Sequence, residues 1–228
     1  MLFHAVPATG IDGTIRKWNT GELNSPGECV GILRGHKYSV WCLTVWNNYL
    51  YFGSDDGKIR KWNSLGECIE VLEGHTDHAW CSTVWNNHLY SGSSDKTIRK
   101  WHSSGECVGI FRGHTGPVCC LTVWNNHLYS GSCDGTIRKW NTGELNSPEE
   151  CVGVLEGHTD FVWCLTVWNN YLYSGSRDTT IRKWGEFHFK HYKFLPDTIK
   201  KEIYNAILVF HRLQIPKFIW LPIIRHLI

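Results

Sequence analysis

The order of apolar and polar positions over residues 74–111 predicts four short strands, separated by clusters of glycine, serine and asparagine. The expected strands run from Ala79 to Trp85, His88 to Ser93, Thr97 to Trp101 and Glu106 to Phe111. Asn86-Asn87 joins the first two and suits a type I′ hairpin, because asparagine tolerates positive φ better than most residues. The pattern recurs. Ile-Arg-Lys-Trp ends at Trp18, Trp62, Trp101, Trp140 and Trp184, in steps of 44, 39, 39 and 44 residues. Gly-His follows in phase at His36, His75, His114 and His158. The longer steps come from one connection: nine residues separate Trp18 from Glu28, but four separate Trp62 from Glu67. Asp12 and Asp134, Trp18 and Trp140, and His36 and His158 are each 122 apart, as if three units had been copied together.

Four antiparallel strands in ~40 residues describe one blade of a propeller. The unit Gly74-His75, then Leu89-Tyr90-Ser91-Gly92-Ser93-Ser94-Asp95-Lys96-Thr97-Ile98-Arg99-Lys100-Trp101, resembles the signature of the WD-repeat family, and the resemblance covers about residues 12–190. The short Asn-Asn hairpin and the Ser-Gly-Ser-x-Asp run are most similar to repeats of F-box substrate receptors of ubiquitin ligases. The residue after the tryptophan is Asn63, His102, Asn141 or Gly185, where the family carries Asp, and the residue before it is Lys61, Lys100, Lys139 or Lys183. The resemblance implies a relay in which each buried indole N–H passes through a strand serine and a loop histidine to a turn aspartate. The expected sets are Trp101, Ser91, His75 and Asp95; Trp140, Ser130, His114 and Asp134; and Trp184, Ser174, His158 and Asp178. Phe52 replaces the serine of the first unit, so Trp62, His36 and Asp56 should form a broken set.

Serine, histidine and aspartate together also suit acyl transfer. Repetition argues for architecture instead, since a catalytic site needs one special constellation, and no phosphate loop or nucleophile elbow is present. The expectation is no enzyme and no cofactor. Thirteen Trp, 22 Gly and 10 Cys beside a single Met favour an all-β chain. Nine cysteines recur with the repeat, which suits small buried hydrophobes in a reducing compartment; no Cys-x-x-Cys with a distant His pair points to a metal. With no signal peptide pattern, no Asn-x-Ser/Thr acceptor and no long apolar run, the expected location is the cytoplasm, or the nucleus, without a transmembrane segment. The net charge of +2 leaves no global basic field, so nucleic acid is a poor candidate partner. The five Arg-Lys pairs should lie on a solvated face, with Arg60 diagonal to Glu67 and neutralised across strands.

What varies between units is the expected recognition surface for a protein partner. It comprises Tyr38, Trp41, Asp77, His78, Trp80, Asp160, Phe161 and Trp163, together with Arg177, the one basic residue at the position before a turn aspartate. Seven blades would need about 280 residues, more than the chain's 228. The expectation is an incomplete or open propeller over residues 1–190, with units at about 35–62, 74–101, 113–140 and 157–184 and a partial N-terminal blade at 3–34. Such an arc invites self-association through its open blade edges, or completion by a partner or second copy. Residues 191–228 form a separate tail: Ile199, Ile203, Ala206, Ile207, Phe210 and Leu213 follow helical spacing. The functional expectation is a protein-interaction scaffold without catalysis; the alternatives are a substrate-recognition subunit of an F-box-type ubiquitin ligase and a truncated propeller fragment.

Overall fold

The structure is a computed structural model that describes residues 2–4, 13–19, 28–142 and 150–185. The chain divides into two compact units, Met1–Glu186 and Phe187–Ile228. The expected helical tail at residues 191–228 lies outside the described residues.

Every described element is a strand, and each sheet is an antiparallel meander. The first sheet holds β1 (Leu2–His4), β2 (Thr14–Asn19) and β3 (Glu28–Arg34). Blade 1 follows with β4 (Val40–Trp46), β5 (Tyr49–Ser54), β6 (Ile59–Trp62) and β7 (Cys68–Leu72). Blade 2 comprises β8 (Ala79–Trp85), β9 (His88–Ser93), β10 (Ile98–Trp101) and β11 (Cys107–Phe111). Blade 3 comprises β12 (Val118–Trp124), β13 (His127–Ser132), β14 (Ile137–Asn141) and β15 (Glu150–Leu155). Blade 4 shows β16 (Val162–Trp168), β17 (Tyr171–Ser176) and β18 (Ile181–Trp184) among the described residues.

Turn chemistry sets the strand boundaries. Both asparagines of every hairpin lie at positive φ, Asn86 at 43° and Asn87 at 54°, as a type I′ turn requires. The third and fourth strands of blade 2 begin one residue later than the pattern predicts. Thr97 is claimed by the preceding turn, where its backbone N–H and hydroxyl both donate to Asp95. The Glu106 carbonyl likewise accepts from His102 N–H and closes the next turn. The first strand of each blade carries a register shift at its second residue, between Val40 and Cys42, Ala79 and Cys81, Val118 and Cys120, and Val162 and Cys164. The extra residue in each case is Trp41, Trp80, Cys119 or Trp163.

The core lies between sheets. Tyr51, Ile59 and Leu72 of blade 1 pack on Ala79, Leu89 and Trp101 of blade 2, and the same positions meet between blades 2 and 3 and between 3 and 4. The N-terminal sheet joins through Ile15 and Leu33, which pack on Val40, Leu50, Phe52 and Trp62. The trailing face of blade 4 differs: Ile181 is 80% exposed, whereas Ile59, Ile98 and Ile137 are at most 1% exposed.

The repeated cysteine of each first strand has a packing role. Cys42, Cys81, Cys120 and Cys164 stand over Gly53, Gly92, Gly131 and Gly175 of the adjacent strand, and a Cβ on any of these glycines would lie 2.6–2.7 Å from the sulfur. A Cβ on Gly131 would also meet Val162 Cγ1 of the next blade at 2.7 Å, while at Gly175 only the sulfur is close. We therefore expect Gly131→Ala to destabilise the chain by ~1–3 kcal/mol and Gly175→Ala by clearly less. Urea unfolding of the two variants beside wild type measures this; equal losses would contradict the packing account.

Candidate functional site

Blades 2, 3 and 4 each bury one complete polar chain. Trp101 Nε1 donates to Ser91 Oγ at 2.8 Å, Ser91 lies 2.8 Å from His75 Nε2, and His75 Nδ1 lies 2.7 Å from Asp95. Trp140, Ser130, His114 and Asp134 repeat this at 2.8, 2.7 and 2.8 Å, and Trp184, Ser174, His158 and Asp178 at 2.8, 2.7 and 2.7 Å. These contacts set the direction of the protons. The carboxylate accepts from Nδ1–H, so Nε2 of a neutral ring accepts from the serine hydroxyl, whose oxygen accepts from the indole. Each buried atom is then satisfied by its neighbour.

Burial opposes ionisation of Asp95, but hydrogen bonds from His75 and Thr97 outweigh it and hold the carboxyl well below the usual carboxylate range. Asp134 is held down in the same way by His114 and Thr136, and Asp178 by Thr180 and His158. On the other side of the pair, burial pushes His114 below its ordinary value, which keeps the ring neutral.

These sets resemble a catalytic triad only in composition. Ser91 and Ser130 are fully buried and Ser174 is 1% exposed, so no substrate reaches the hydroxyl. In blade 1, Phe52 stands opposite Arg60 at the serine position, and the chain breaks: His36 Nδ1 still meets Asp56 at 3.0 Å, but His36 Nε2 and Trp62 Nε1 are buried without partners. Arg60 compensates in part, donating to Asp56 at 3.0 Å. This corrects the expected pairing of Arg60 with Glu67, which instead accepts from Asn63 Nδ2 at 2.7 Å. Arg60 lies beside the His36–Asp56 pair, 3.2 Å from His36 Nδ1, where a largely buried carboxylate is screened less by water than an exposed one.

The bulges build a second constellation. Trp41, Trp80 and Trp163, each the extra residue of its strand, are re-aimed out of the alternation and converge from three blades. Trp80 lies 6.4 Å from Trp41 and stacks on Trp163 at 6.1 Å. Phe161 abuts Trp163 edge-on at 5.7 Å, and the Arg177 guanidinium lies 5.3 Å from the Phe161 ring. Trp41 Nε1 donates to Asp55, which also meets His78 Nδ1 at 2.9 Å, so blades 1 and 2 are tied together here. Asp77 accepts from the His78 N–H and Asp160 from the Phe161 N–H, each fixing the loop after Gly-His. Tyr38 is exposed on the same loop of blade 1. Asp55 is the member absent from the expected surface; its place before the turn aspartate, shared with Arg177, was the available signal. Among the described residues no cluster of three or more metal-ligating side chains occurs, and no helix is long and apolar enough to cross a membrane.

Meandering antiparallel blades, three of the four locked by a complete indole–serine–histidine–aspartate chain, define a β-propeller of the WD type. The chain belongs to the family described as "WD domain, G-beta repeat", whose profile matches residues 27–63, 66–102, 105–141 and 149–185. Propellers of this family serve generally as non-catalytic scaffolds that bind protein partners. Among curated proteins, the chain is similar to Mitochondrial division protein 1 of Coccidioides immitis (strain RS), 43% identical over 60 residues, or 26% of this chain and 8% of that protein. The same protein of Aspergillus clavatus is 38% identical over 60 residues, with the same shares covered. The chain thus spans under a tenth of the length of these relatives. Among solved structures, the WD40 β-propeller domain of Doa1 superposes with a TM-score of 0.66 and 28% identity, over 78% of this chain and 60% of that one. The computationally designed Ika8 protein gives 0.63 and 28%, over 77% and 53%.

Two outcomes test the relays. Replacing Phe52 by serine and by alanine leaves the same cavity, but only serine offers an acceptor to Trp62 and a donor to His36. Phe52→Ser should be the more stable variant by ~1–3 kcal/mol, measured by urea unfolding; alanine equal to or better than serine would contradict the broken relay. The second is pH dependence. The unfolded chain takes up a proton at histidine below ~6.5 that native His114 resists, so stability starts to fall there as pH decreases. A carboxyl whose native pKa is depressed stabilises fully above its unfolded value, so a steeper loss sets in below ~4 as the unfolded aspartates bind protons first. Unfolding midpoints measured from pH 7 to pH 3 should show both falls, and Asp95→Asn should flatten the lower one.

Proposed function

We propose that this chain holds a protein partner through the ring of aromatic side chains at Trp41, Trp80, Phe161 and Trp163, bordered by Asp55, His78 and Asp160. The observation that carries the reading is the exposure of the bulge residues: Trp41 is 48% and Trp163 45% exposed, although both lie against Trp80 of blade 2. Rigid, half-exposed indoles present large apolar area at little entropic cost on binding, which is why tryptophan dominates protein hot spots. The rim offers a contrast. Val30 and Ile32 of β3, Ile69 and Val71 of β7, and Val108 and Ile110 of β11 are exposed as aliphatic pairs on three outer strands, with no aromatic ring among them.

A ubiquitin-ligase receptor that captures phosphorylated segments would need Arg177 to hold the phosphate, and Arg177 stands 3.7 Å from Asp160 and over Phe161. Its charge is already partnered, and that weighs against phosphate capture. A cytoplasmic or nuclear site of action is supported by the use of Cys42, Cys81, Cys120 and Cys164 as packing groups over glycines.

Full-length chain used as bait, with partners trapped by cross-linking and then tested in purified form, checks the proposal. Trp163→Ala and Trp41→Ala should each weaken the partner about 30-fold or more, while the rim variant Val71→Ser should bind as wild type does. A partner that tolerates both tryptophan changes but not the rim change would overturn it.

A further inference from the structure

Blade 3 departs from its neighbours at the aromatic ring. Where the other blades place Trp41, Trp80 and Trp163, it places Cys119, and where they place Asp55, Ser94 and Arg177 before the turn aspartate, it places Cys133. The two positions face each other across the bulge. In blade 1 they are joined by the Trp41–Asp55 hydrogen bond, and in blade 3 the Cys119 and Cys133 sulfurs lie 3.1 Å apart. Backbone bonds fix both ends: Cys133 N–H donates to the Pro117 carbonyl at 2.9 Å, and Val118 pairs with Ser132. Cys119 is buried and Cys133 half-buried, so Cys133 is the more accessible of the two. The remaining repeat cysteines lack this arrangement. Those at 42, 81, 120 and 164 face glycines, and those at 29, 68, 107 and 151 lie near the backbone carbonyl two residues on.

We propose that Cys119 and Cys133 are a dithiol pair that closes to an intrachain disulfide by exchange with a small disulfide such as oxidised glutathione. The Cys133 thiol loses its proton and attacks one glutathione sulfur, expelling the first glutathione as a thiolate that takes up that proton. Cys119 then loses its proton and attacks the Cys133 sulfur, expelling the second glutathione. The protein gives up two electrons and two protons, and one glutathione disulfide becomes two thiols. Burial pushes both thiols above their ordinary value, so each rests protonated. Proximity, and not a standing thiolate, is what favours this pair.

The test uses the full-length chain, incubated with oxidised glutathione, alkylated in native and then in denaturing buffer, and mapped by peptide mass spectrometry. The expected product is a peptide pair joined through Cys119 and Cys133, lighter by two hydrogens and reversed by dithiothreitol. In Cys119→Ser the same treatment should leave Cys133 carrying one glutathione, because the resolving sulfur is gone. Cys119 and Cys133 both recovered as free thiols, or glutathione retained on Cys133 of the wild-type chain, would overturn the proposal. A circular dichroism spectrum of Cys119→Ser that matches wild type keeps a folding defect from mimicking either result.

Discussion

A tryptophan indole is large enough to wedge two sheets together, and its N–H is costly to bury alone. The fold rests on meeting both conditions at once. In blades 2 to 4 the ring fills the space between sheets while its single polar atom is handed through serine and histidine to an ionised aspartate. The aspartate sits in the turn that reverses the chain, where it also caps the backbone N–H two residues on. Core packing and turn geometry are thereby made to depend on one chain of atoms. Blade 1 has lost a link, and there two buried donor or acceptor atoms stand without partners and an arginine moves in on the carboxylate.

The same economy explains why the interesting chemistry lies elsewhere. Groups that would suit a nucleophile and its base are fully committed to structure and sealed from solvent. The variable positions are left to form the proposed recognition surface. They are delivered by a bulge, which lifts one residue out of the inward–outward alternation of each first strand and turns it toward its counterparts in other blades. Three tryptophans meet in that way, and blade 3 contributes a pair of thiols instead.

Much of this was open to a reader of the sequence, for reasons that differ by feature. The hairpins at Asn47-Asn48, Asn86-Asn87, Asn125-Asn126 and Asn169-Asn170 are local, and a dipeptide that accepts positive φ determines them. Relay membership was also legible, since Phe52 at the serine position identifies the broken unit by comparison with its copies. The strands expected to start at Thr97 and Glu106 start one residue later, because the backbone groups of those two residues are claimed by turns that propensity does not weigh.

The number and phase of the units, the order of strands within each and the residues of each relay could be read from the repeat alone, because they depend on spacing within about 40 residues of chain. It took the packed blades to bring Trp41 and Trp163 onto Trp80, to place Asp55 with them, to turn Arg60 to Asp56 and not Glu67, and to set the Cys119 and Cys133 sulfurs face to face. Those outcomes turn on how a bulge re-aims a side chain and on how far one blade is rotated from the next, and neither quantity is written in the period of a repeat.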